Sequence, residues 1–269
     1  MEEDLRSLSL SPFSFSRQFR SHKAACTVVL ALLSAMVIGH FYILTAFAQA
    51  AGPKTDAQLL EGYRHVEVAS VSDALDQVTG QRNYMSHRMR PIFNSKVVGF
   101  ALTVQLKKEE NHDPGAIQGM LAAIDQGQPN SVWVMVIEDG ANIAGMGGLM
   151  GTAMASRDFS GAVIDGGVRD VSYLQKIGFP VFSLGIVPST LVDHYRFAGA
   201  NIPVKCDGVT VNAGDIIAAD EDGVVVVPRA QAAAVLAVAQ EMDIKEHSMY
   251  GYIEKFKSIE EAVKHFGRL

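Results

Sequence analysis

The sequence predicts an α/β fold in which parallel strands alternate with helices. In the centre of the chain, three apolar segments of strand length follow one another: Val132–Ile137, Ala162–Ile164 and Pro180–Ser183. Helical patterns separate them, and this strand–helix–strand order favours parallel pairing. Val132–Ile137 is apolar throughout, which indicates a strand that is covered on both faces. Short β-branched segments after residue 200 add a β-rich part to the same fold.

Two helices and a long strand precede the central strands. Helices are predicted over Leu59–Glu67 and Val71–Gln77, and the β-branched segment Lys96–Gln105 predicts a strand. Between them, Arg82–Pro91 is irregular and basic, so it is either a solvated loop or a second anion contact at a subunit edge. After the strand, Pro114 opens a further helix.

The last part of the chain is predicted to be β-rich and then helical. Glycine turns separate four short strands, which indicates a small sheet or half-barrel. The four predicted strands are Ile202–Val204, Val209–Val211, Asp215–Ala219 and Val224–Val227. An alanine-rich helix is predicted from Ala230 to about His247, and a last helix covers Ile259–Phe266.

Composition and charge exclude several classes of protein. The 269 residues are 48% hydrophobic and 19% charged, enough for a full globular core. The net charge of −6 argues against a broad nucleic-acid-binding face, which needs clustered positive charge, so we expect no nucleic-acid partner. The two cysteines, Cys26 and Cys206, provide no disulfide framework if the N-terminal segment is removed.

Residues 1–50 are predicted to be an export signal peptide or an uncleaved signal anchor rather than part of the fold. Basic residues precede a stretch from Ala24 to Ala50 without Lys, Arg, Asp or Glu, and its end is rich in alanine, as at a cleavage site. The apolar run of about residues 24–46 is also long enough, at about 20 residues, to span a membrane. Either way, we expect an exported domain, periplasmic or extracellular or anchored outside the cytoplasm.

The central motif is a glycine cluster followed by a helix, an apolar strand and an Arg–Asp pair. Its glycines are Gly145, Gly147, Gly148 and Gly151. The helix is predicted over Thr152–Arg157, and a tight turn at Asp165–Gly167 would deliver Arg169 beside Asp170. Glycine allows close approach of a ligand, and a helix N-terminus attracts an anion. Arginine clamps carboxylates, and aspartate binds hard divalent metals. The motif therefore predicts a site for a small carboxylate and a metal.

The glycine cluster and a polar loop each allow another interpretation. The glycine cluster is not a dinucleotide fingerprint, because no acidic residue ends a second strand at the expected distance, and it is not a P-loop, because no Gly-Lys-Ser/Thr follows. The same absence argues against a methyltransferase. Asn111, His112 and Asp113 could bind a metal, but polarity of a loop with an N-cap for the Pro114 helix is the stronger interpretation.

The segments 147–152, 161–170 and 178–182 resemble the RraA-like family, which includes 4-hydroxy-4-methyl-2-oxoglutarate/4-carboxy-4-hydroxy-2-oxoadipate aldolases and oxaloacetate decarboxylases. The resemblance continues from about Val71–Leu75 to Asp220–Pro228. It implies an α/β swivelling β/β/α domain over residues 68–240. Residues 51–67 are then a linker and N-terminal helix, and residues 241–269 a C-terminal helical extension.

The resemblance also implies a site and an assembly. By that resemblance, a pyruvate- or oxaloacetate-like 2-oxo acid is bound by the loop residues and by Arg169, and Asp170 holds Mg²⁺ or Mn²⁺ largely through waters. The implied loop residues are Gly147, Gly148, Leu149 and Met150. A homotrimer or hexamer with sites at subunit borders is implied as well. Arg169 and Asp170 are then the catalytic residues of a C–C lyase.

One position departs from the family. Active aldolases and decarboxylases carry an acid at the position of Gly148, where it holds a water that donates a proton. Glu138, Asp139 or a neighbouring subunit could supply that acid, whereas Asp165 is expected to lie on the strand side of the turn. The leading prediction is therefore a metal-dependent lyase on a short 2-oxo dicarboxylate. The alternative is a 2-oxo acid and metal-binding or RraA-like regulatory protein without catalysis.

Overall fold

The computed structural model describes residues 54–267. The predicted signal or anchor segment, about residues 24–46, and Cys26 lie outside the described residues. Within residues 54–267, no helix is long and apolar enough to cross a membrane. The α-helices are α1 Asp56–Arg64, α2 Val68–Thr79, α3 Gln118–Gln126, α4 Gly148–Ala155, α5 Val171–Lys176, α6 Ala232–Phe256 and α7 Ile259–Phe266. The strands are β1 Arg90–Pro91, β2 Val97–Lys108, β3 Ser131–Ile137, β4 Ala144–Met146, β5 Gly161–Val168, β6 Val181–Ile186, β7 Tyr195–Ala200, β8 Val204–Cys206, β9 Val209–Val211, β10 Ile216–Asp220 and β11 Gly223–Val227.

The main sheet confirms the predicted α/β class. Its strand order is β1-β6-β5-β3-β2-β10-β11, and β2, β3, β5 and β6 pair in parallel. Of the four strands predicted as a small sheet or half-barrel, β10 and β11 instead extend the main sheet, because β10 pairs antiparallel with β2. In the described part of the chain, β8 and β9 alone form the second, two-stranded sheet.

Strand β3 lies at the centre of the core and is buried along its whole length. Because side chains of a strand alternate between faces, Trp133 and Met135 pack into one hydrophobic cluster with residues of α3, α4 and α5. Val132, Val134 and Val136 pack into another, which the β8–β9 hairpin covers. The sheet is thus covered on both faces, as the apolar sequence of β3 predicts.

The helices α1, α2 and α6 cover the β10–β11 end of the sheet with a third hydrophobic cluster. The predicted boundary at residue 240 falls inside α6, which continues nine residues beyond the predicted end at His247, to Phe256. Its last turns pack against α7, where the Tyr252 ring stacks on the His265 ring at 5.0 Å between centroids. Helix α7 itself begins and ends as predicted.

The predicted loop Arg82–Pro91 contains one short strand, and its cations have partners within the chain. Arg90 donates to the backbone carbonyls of Glu221 and Asp222, at 2.9 and 3.3 Å. Arg88 lies 3.6 Å from the buried carboxylate of Asp207. These contacts fasten the segment to the sheet.

Candidate active site

The site is formed where two neighbouring parallel strands end. Strand β4 pairs in parallel with β5, with Met146 opposite Val168. The carboxyl ends of parallel strands meet at the same edge of a sheet, so the segments after them are brought together. Gly147 and helix α4 follow β4, whereas Arg169 and Asp170 follow β5.

Two local predictions around this edge are wrong. Helix α4 begins at Gly148 and not at Thr152, so most of the predicted glycine loop is the first turn of the helix. Asp165–Gly167 is not a tight turn, because β5 continues through it with an irregular register against β6. Close packing explains Gly166: a Cβ atom there would lie 2.7 Å from Cδ1 of Ile137 and 3.1 Å from the carbonyl oxygen of Gly140.

Asp170 connects the two segments of the site. Its backbone is left-handed, with φ at 58°, and its Oδ2 accepts a hydrogen bond of 2.8 Å from the amide of Gly148. The N-terminus of α4 thereby binds a carboxylate of the protein itself, as a helix dipole favours. Half of the Asp170 side chain remains exposed.

Arg169, the residue before Asp170, hydrogen-bonds to a different part of the chain. Its Nη1 donates to the carbonyl oxygen of Ser189 at 3.0 Å, while its Nε is 3.9 Å from Oδ2 of Asp170. The Ser189 hydroxyl accepts from the amide of Ala144 and donates to the carbonyl of Asn142. A guanidinium has five N–H groups, so Arg169 keeps donors for a ligand while its position is fixed.

A cavity of about 270 Å³, here called the small lobe, contains all the predicted site residues. Its lining includes Gly147, Gly148, Leu149, Met150, Arg169 and Asp170. Apolar side chains of α3 and of the segment 190–192 complete the wall. The first amides of a helix have no partner within the helix and point along its axis, so those of Leu149 and Met150 are donors at this cavity.

A second cavity of about 560 Å³, here called the large lobe, adjoins the first. Both cavities are lined by Gly148, Leu149 and Asp170. The other lining residues of the large lobe are Thr152, Val171, Ser172 and Tyr173. Sequence reasoning did not single out Ser172, Tyr173 or Ser189, and nothing in the sequence distinguishes these residues from ordinary surface residues.

The side chain of Tyr173 occupies the space beside Gly148. A Cβ atom on Gly148 would lie 2.9 Å from Cδ1 of the tyrosine ring and 3.5 Å from Oδ2 of Asp170. The Tyr173 hydroxyl lies 3.3 Å from the Thr152 hydroxyl, which donates to the Gly148 carbonyl at 2.8 Å. Because the threonine proton is engaged there, the tyrosine is the donor of the longer bond.

The acids that the sequence offered as replacements for an acid at position 148 line neither lobe. Oε2 of Glu138 accepts from the amide of Lys108 at 3.0 Å. Asp139 has a left-handed backbone and precedes a short 3-10 helix. Asp165 accepts from the amide of Asp207 at 2.7 Å, and burial raises the pKa of its carboxyl. Asp165 itself lies within β5, paired with Val136 of β3.

Asp170 fits a weakly coordinated divalent cation. No group of three or more His, Cys, Asp or Glu side chains in residues 54–267 is arranged to hold a metal. A half-exposed carboxylate with one oxygen bound to an amide offers few direct ligands, which suits Mg²⁺ because that ion keeps several waters. In the Asn111–Asp113 loop, Asp113 instead accepts from the Gly115 amide and pairs with Arg196 at 2.8 Å.

Comparison with known proteins identifies relatives over most of the described chain. The model of the RraA-like family, described as Aldolase/RraA, matches residues 68–226. A protein of Halalkalibacterium halodurans named "Putative 4-hydroxy-4-methyl-2-oxoglutarate aldolase" is 28% identical over 190 residues, which cover 70% of this chain and 84% of that protein. Protein DlpA of Legionella pneumophila is 30% identical over 175 residues, but these cover only 28% of its length.

Solved structures share the fold. An uncharacterized protein from Pseudomonas syringae superposes with a TM-score of 0.70 and 26% identity, over 80% of this chain and 99% of that one. RraAS2 of Streptomyces coelicolor, an unusual member of the RNase ES inhibitor RraA protein family, gives a TM-score of 0.63 with 23% identity, over 77% of this chain and 100% of that one. These likenesses confirm the predicted RraA-like fold.

Proposed function

Because the chain belongs to the Aldolase/RraA family, we propose that it is a metal-dependent carbon–carbon lyase for a short 2-oxo acid. The observation that supports this is the convergence of Arg169, Asp170 and the N-terminus of α4 on the small lobe. A cation, a metal-binding carboxylate and free amides are the groups that a 2-oxo acid requires.

Different groups of the protein bind the carboxylate and the other oxygens of the oxo acid. The guanidinium of Arg169 binds the carboxylate of the ligand, and planar, charge-assisted contacts of this kind fix orientation as well as affinity. The amides of Leu149 and Met150 bind its remaining oxygens, where the helix dipole favours negative charge. Together they align the bond that breaks with the 2-oxo group.

The reaction moves an electron pair onto the 2-oxo group. When the bond beyond C3 breaks, its electrons form the enolate of pyruvate, and a proton then returns to C3. Arg169 and the α4 amides stabilise that developing charge because they are already oriented toward it. A divalent cation at Asp170 would supply Lewis-acid stabilisation of the same oxygen.

A second candidate function is binding without turnover, and Gly148 is the observation that favours it. The position holds no acid, the Tyr173 ring lies beside it, and the acids proposed as substitutes line neither lobe. General acid–base help contributes about 10²–10⁴-fold in rate. A protein that retains the groups for binding a 2-oxo acid but lacks this acid–base help would act as a 2-oxo acid receptor or a regulatory protein.

The purified full-length chain should release pyruvate from oxaloacetate or from 4-hydroxy-4-methyl-2-oxoglutarate in the presence of Mg²⁺. Asp170→Ala should reduce this release by at least about 10²-fold, since a metal contributes several kcal/mol to charge stabilisation. Release that is independent of metal, or unchanged in Asp170→Ala, would contradict the lyase. Oxalate binding by calorimetry without turnover would select the receptor.

We also propose a homotrimer or hexamer that is exported or held outside the cytoplasm. Four large apolar side chains that line the lobes are exposed, Leu149 at 90% and Leu121, Tyr173 and Val192 at 40–48%, and such a group favours a neighbouring subunit. Light scattering of the purified chain tests the assembly, and a single-subunit mass would contradict it. Fractionation of the producing cells tests export, which is proposed from residues 1–50 alone.

A further inference from the structure

An enolate formed in the small lobe needs a proton at C3, and few side chains around the two lobes can supply one. Among the described residues that line either lobe, the ionisable side chains are those of Arg169, Asp170 and Tyr173. Arginine is always protonated in proteins, and a carboxylate that holds a divalent cation has no proton to give. Tyr173 is therefore the ionisable side chain that can act as the donor.

The aliphatic hydroxyls in the same lining are poorer donors. The Thr152 hydroxyl already gives its proton to the carbonyl of Gly148 at 2.8 Å. Ser172 and Thr190 line the lobes with ordinary alcohol groups. A phenol is a far stronger acid than water or an alcohol, yet it is still protonated at neutral pH.

The Tyr173 side chain is held at the junction of the two lobes. Its ring lies beside Gly148, where a Cβ atom would be 2.9 Å from Cδ1 of the ring. Its hydroxyl bonds to Thr152 at 3.3 Å, and Thr152 bonds to Gly148, so the phenol oxygen is within two hydrogen-bond lengths of the first residue of α4. A proton donor must reach the reacting atom directly or through one water, which this position allows.

The surroundings of Tyr173 suit the loss of its proton. Its amide donates to the carbonyl of Asp170 at 2.9 Å, so both residues belong to the first turn of α5, and both line the large lobe. A cation held by Asp170 would balance the negative charge that the tyrosine acquires. A neighbouring subunit packed on Leu149 would keep bulk water out of the lobes, and a donor fixed in the wall is then needed more.

We propose that Tyr173 is the catalytic residue that protonates C3 of the pyruvate enolate. The inference rests on the proposed lyase and assigns its proton donor. In this step the O–H bond of Tyr173 breaks, the electron pair of the enolate forms a C–H bond at C3, and the phenolate then takes a proton from solvent. Oxaloacetate and 4-hydroxy-4-methyl-2-oxoglutarate give the same enolate, so the assignment holds for either substrate.

Hydrogen exchange into pyruvate tests the donor without requiring cleavage of a carbon–carbon bond. The group that protonates the enolate also removes a proton from the methyl group of pyruvate in the reverse direction. The full-length chain with Mg²⁺ in D₂O should therefore exchange the methyl protons of pyruvate, followed by NMR. Tyr173→Phe keeps the ring beside Gly148 but removes the hydroxyl, so exchange should fall by about 10²-fold or more. The Kd for oxalate with Mg²⁺, measured by calorimetry, should be unchanged, since Arg169 and the α4 amides are retained.

Tyr250→Phe provides the matched control. Tyr250 is 51% exposed, compared with 44% for Tyr173, and its hydroxyl bonds to Glu246 on α6, outside the lining of both lobes. This variant should leave both exchange and oxalate binding unchanged.

Three results would overturn the inference: no exchange by the native chain, undiminished exchange by Tyr173→Phe, or a loss of exchange that is matched by an equal loss of oxalate affinity. Undiminished exchange would assign the donor to a water or to a neighbouring subunit. Pyruvate release decides the lyase separately. Release without exchange would retain the lyase and reject Tyr173, whereas exchange that depends on Tyr173 without any release would do the opposite.

Discussion

Because Gly148 and Tyr173 are in contact, we predict that Gly148→Ala destabilises the native protein but stabilises the Tyr173→Ala variant. The perturbation is Gly148→Ala, which adds only a Cβ atom at a position whose backbone is helical. In a helix, alanine is favoured over glycine by roughly 0.5–1 kcal/mol. In this protein, however, the new Cβ would lie 2.9 Å from Cδ1 of Tyr173, and such overpacking typically costs about 1–3 kcal/mol.

Because the Tyr173 ring is 44% exposed and can move outward, we place the packing cost at the lower end, about 1–1.5 kcal/mol. Gly148→Ala should therefore destabilise the native background by a few tenths of a kcal/mol, and should stabilise Tyr173→Ala by roughly 0.5–1 kcal/mol. Urea unfolding of the four proteins gives the coupling energy, expected at about 1 kcal/mol. Effects that add within about 0.3–0.5 kcal/mol would refute the proposed packing at this position.

Two further predictions concern charged groups. Arg169→Lys keeps the charge but loses the planar fork, so oxalate should bind about tenfold more weakly by calorimetry, and an unchanged Kd would contradict the clamp. Burial raises the pKa of the Asp165 carboxyl above its value in the unfolded chain. The contribution of this group to the free energy of unfolding is therefore complete below the unfolded pKa, and it is lost as the pH rises through the folded pKa. Asp165→Asn keeps an acceptor for the Asp207 amide; it should therefore stabilise the fold at pH 7, and this gain should shrink toward pH 4 in urea unfolding.

The sequence predicted best those elements whose own side chains determine their structure. β3 is one such element, because an unbroken apolar run can be buried only as a central strand or helix, and its short length selects the strand. α7 is another: Ser258 accepts from the amide of Glu261 as an N-cap, and Gly267 ends the helix with φ at 71°. Both caps can be read from local residues.

The missed elements depend on contacts between distant residues. β7 has a mixed sequence, and it is a strand because it pairs antiparallel with the far end of β2, where Phe197 lies opposite Leu106. The glycines at the start of α4 suggest a loop by propensity, yet the carboxylate of Asp170 satisfies the first amide and permits a helix. Likewise, Arg169 and Asp170 could be identified as site residues from the sequence, whereas their neighbours Tyr173 and Ser189 could be identified only from the fold.

Ligand binding and turnover can be separated at this site because they depend on different places in it. The groups proposed to recognise a 2-oxo acid, Arg169 and the first amides of α4, line the small lobe and do not require a side chain at position 148. Position 148 lies between the lobes, where Tyr173 takes the space that an acid would need. An inactive protein should therefore still bind oxalate tightly. An active protein must obtain its proton from a donor other than Glu138, Asp139 and Asp165. Measured affinity without turnover would thus locate the missing step at the proton donor and not at recognition.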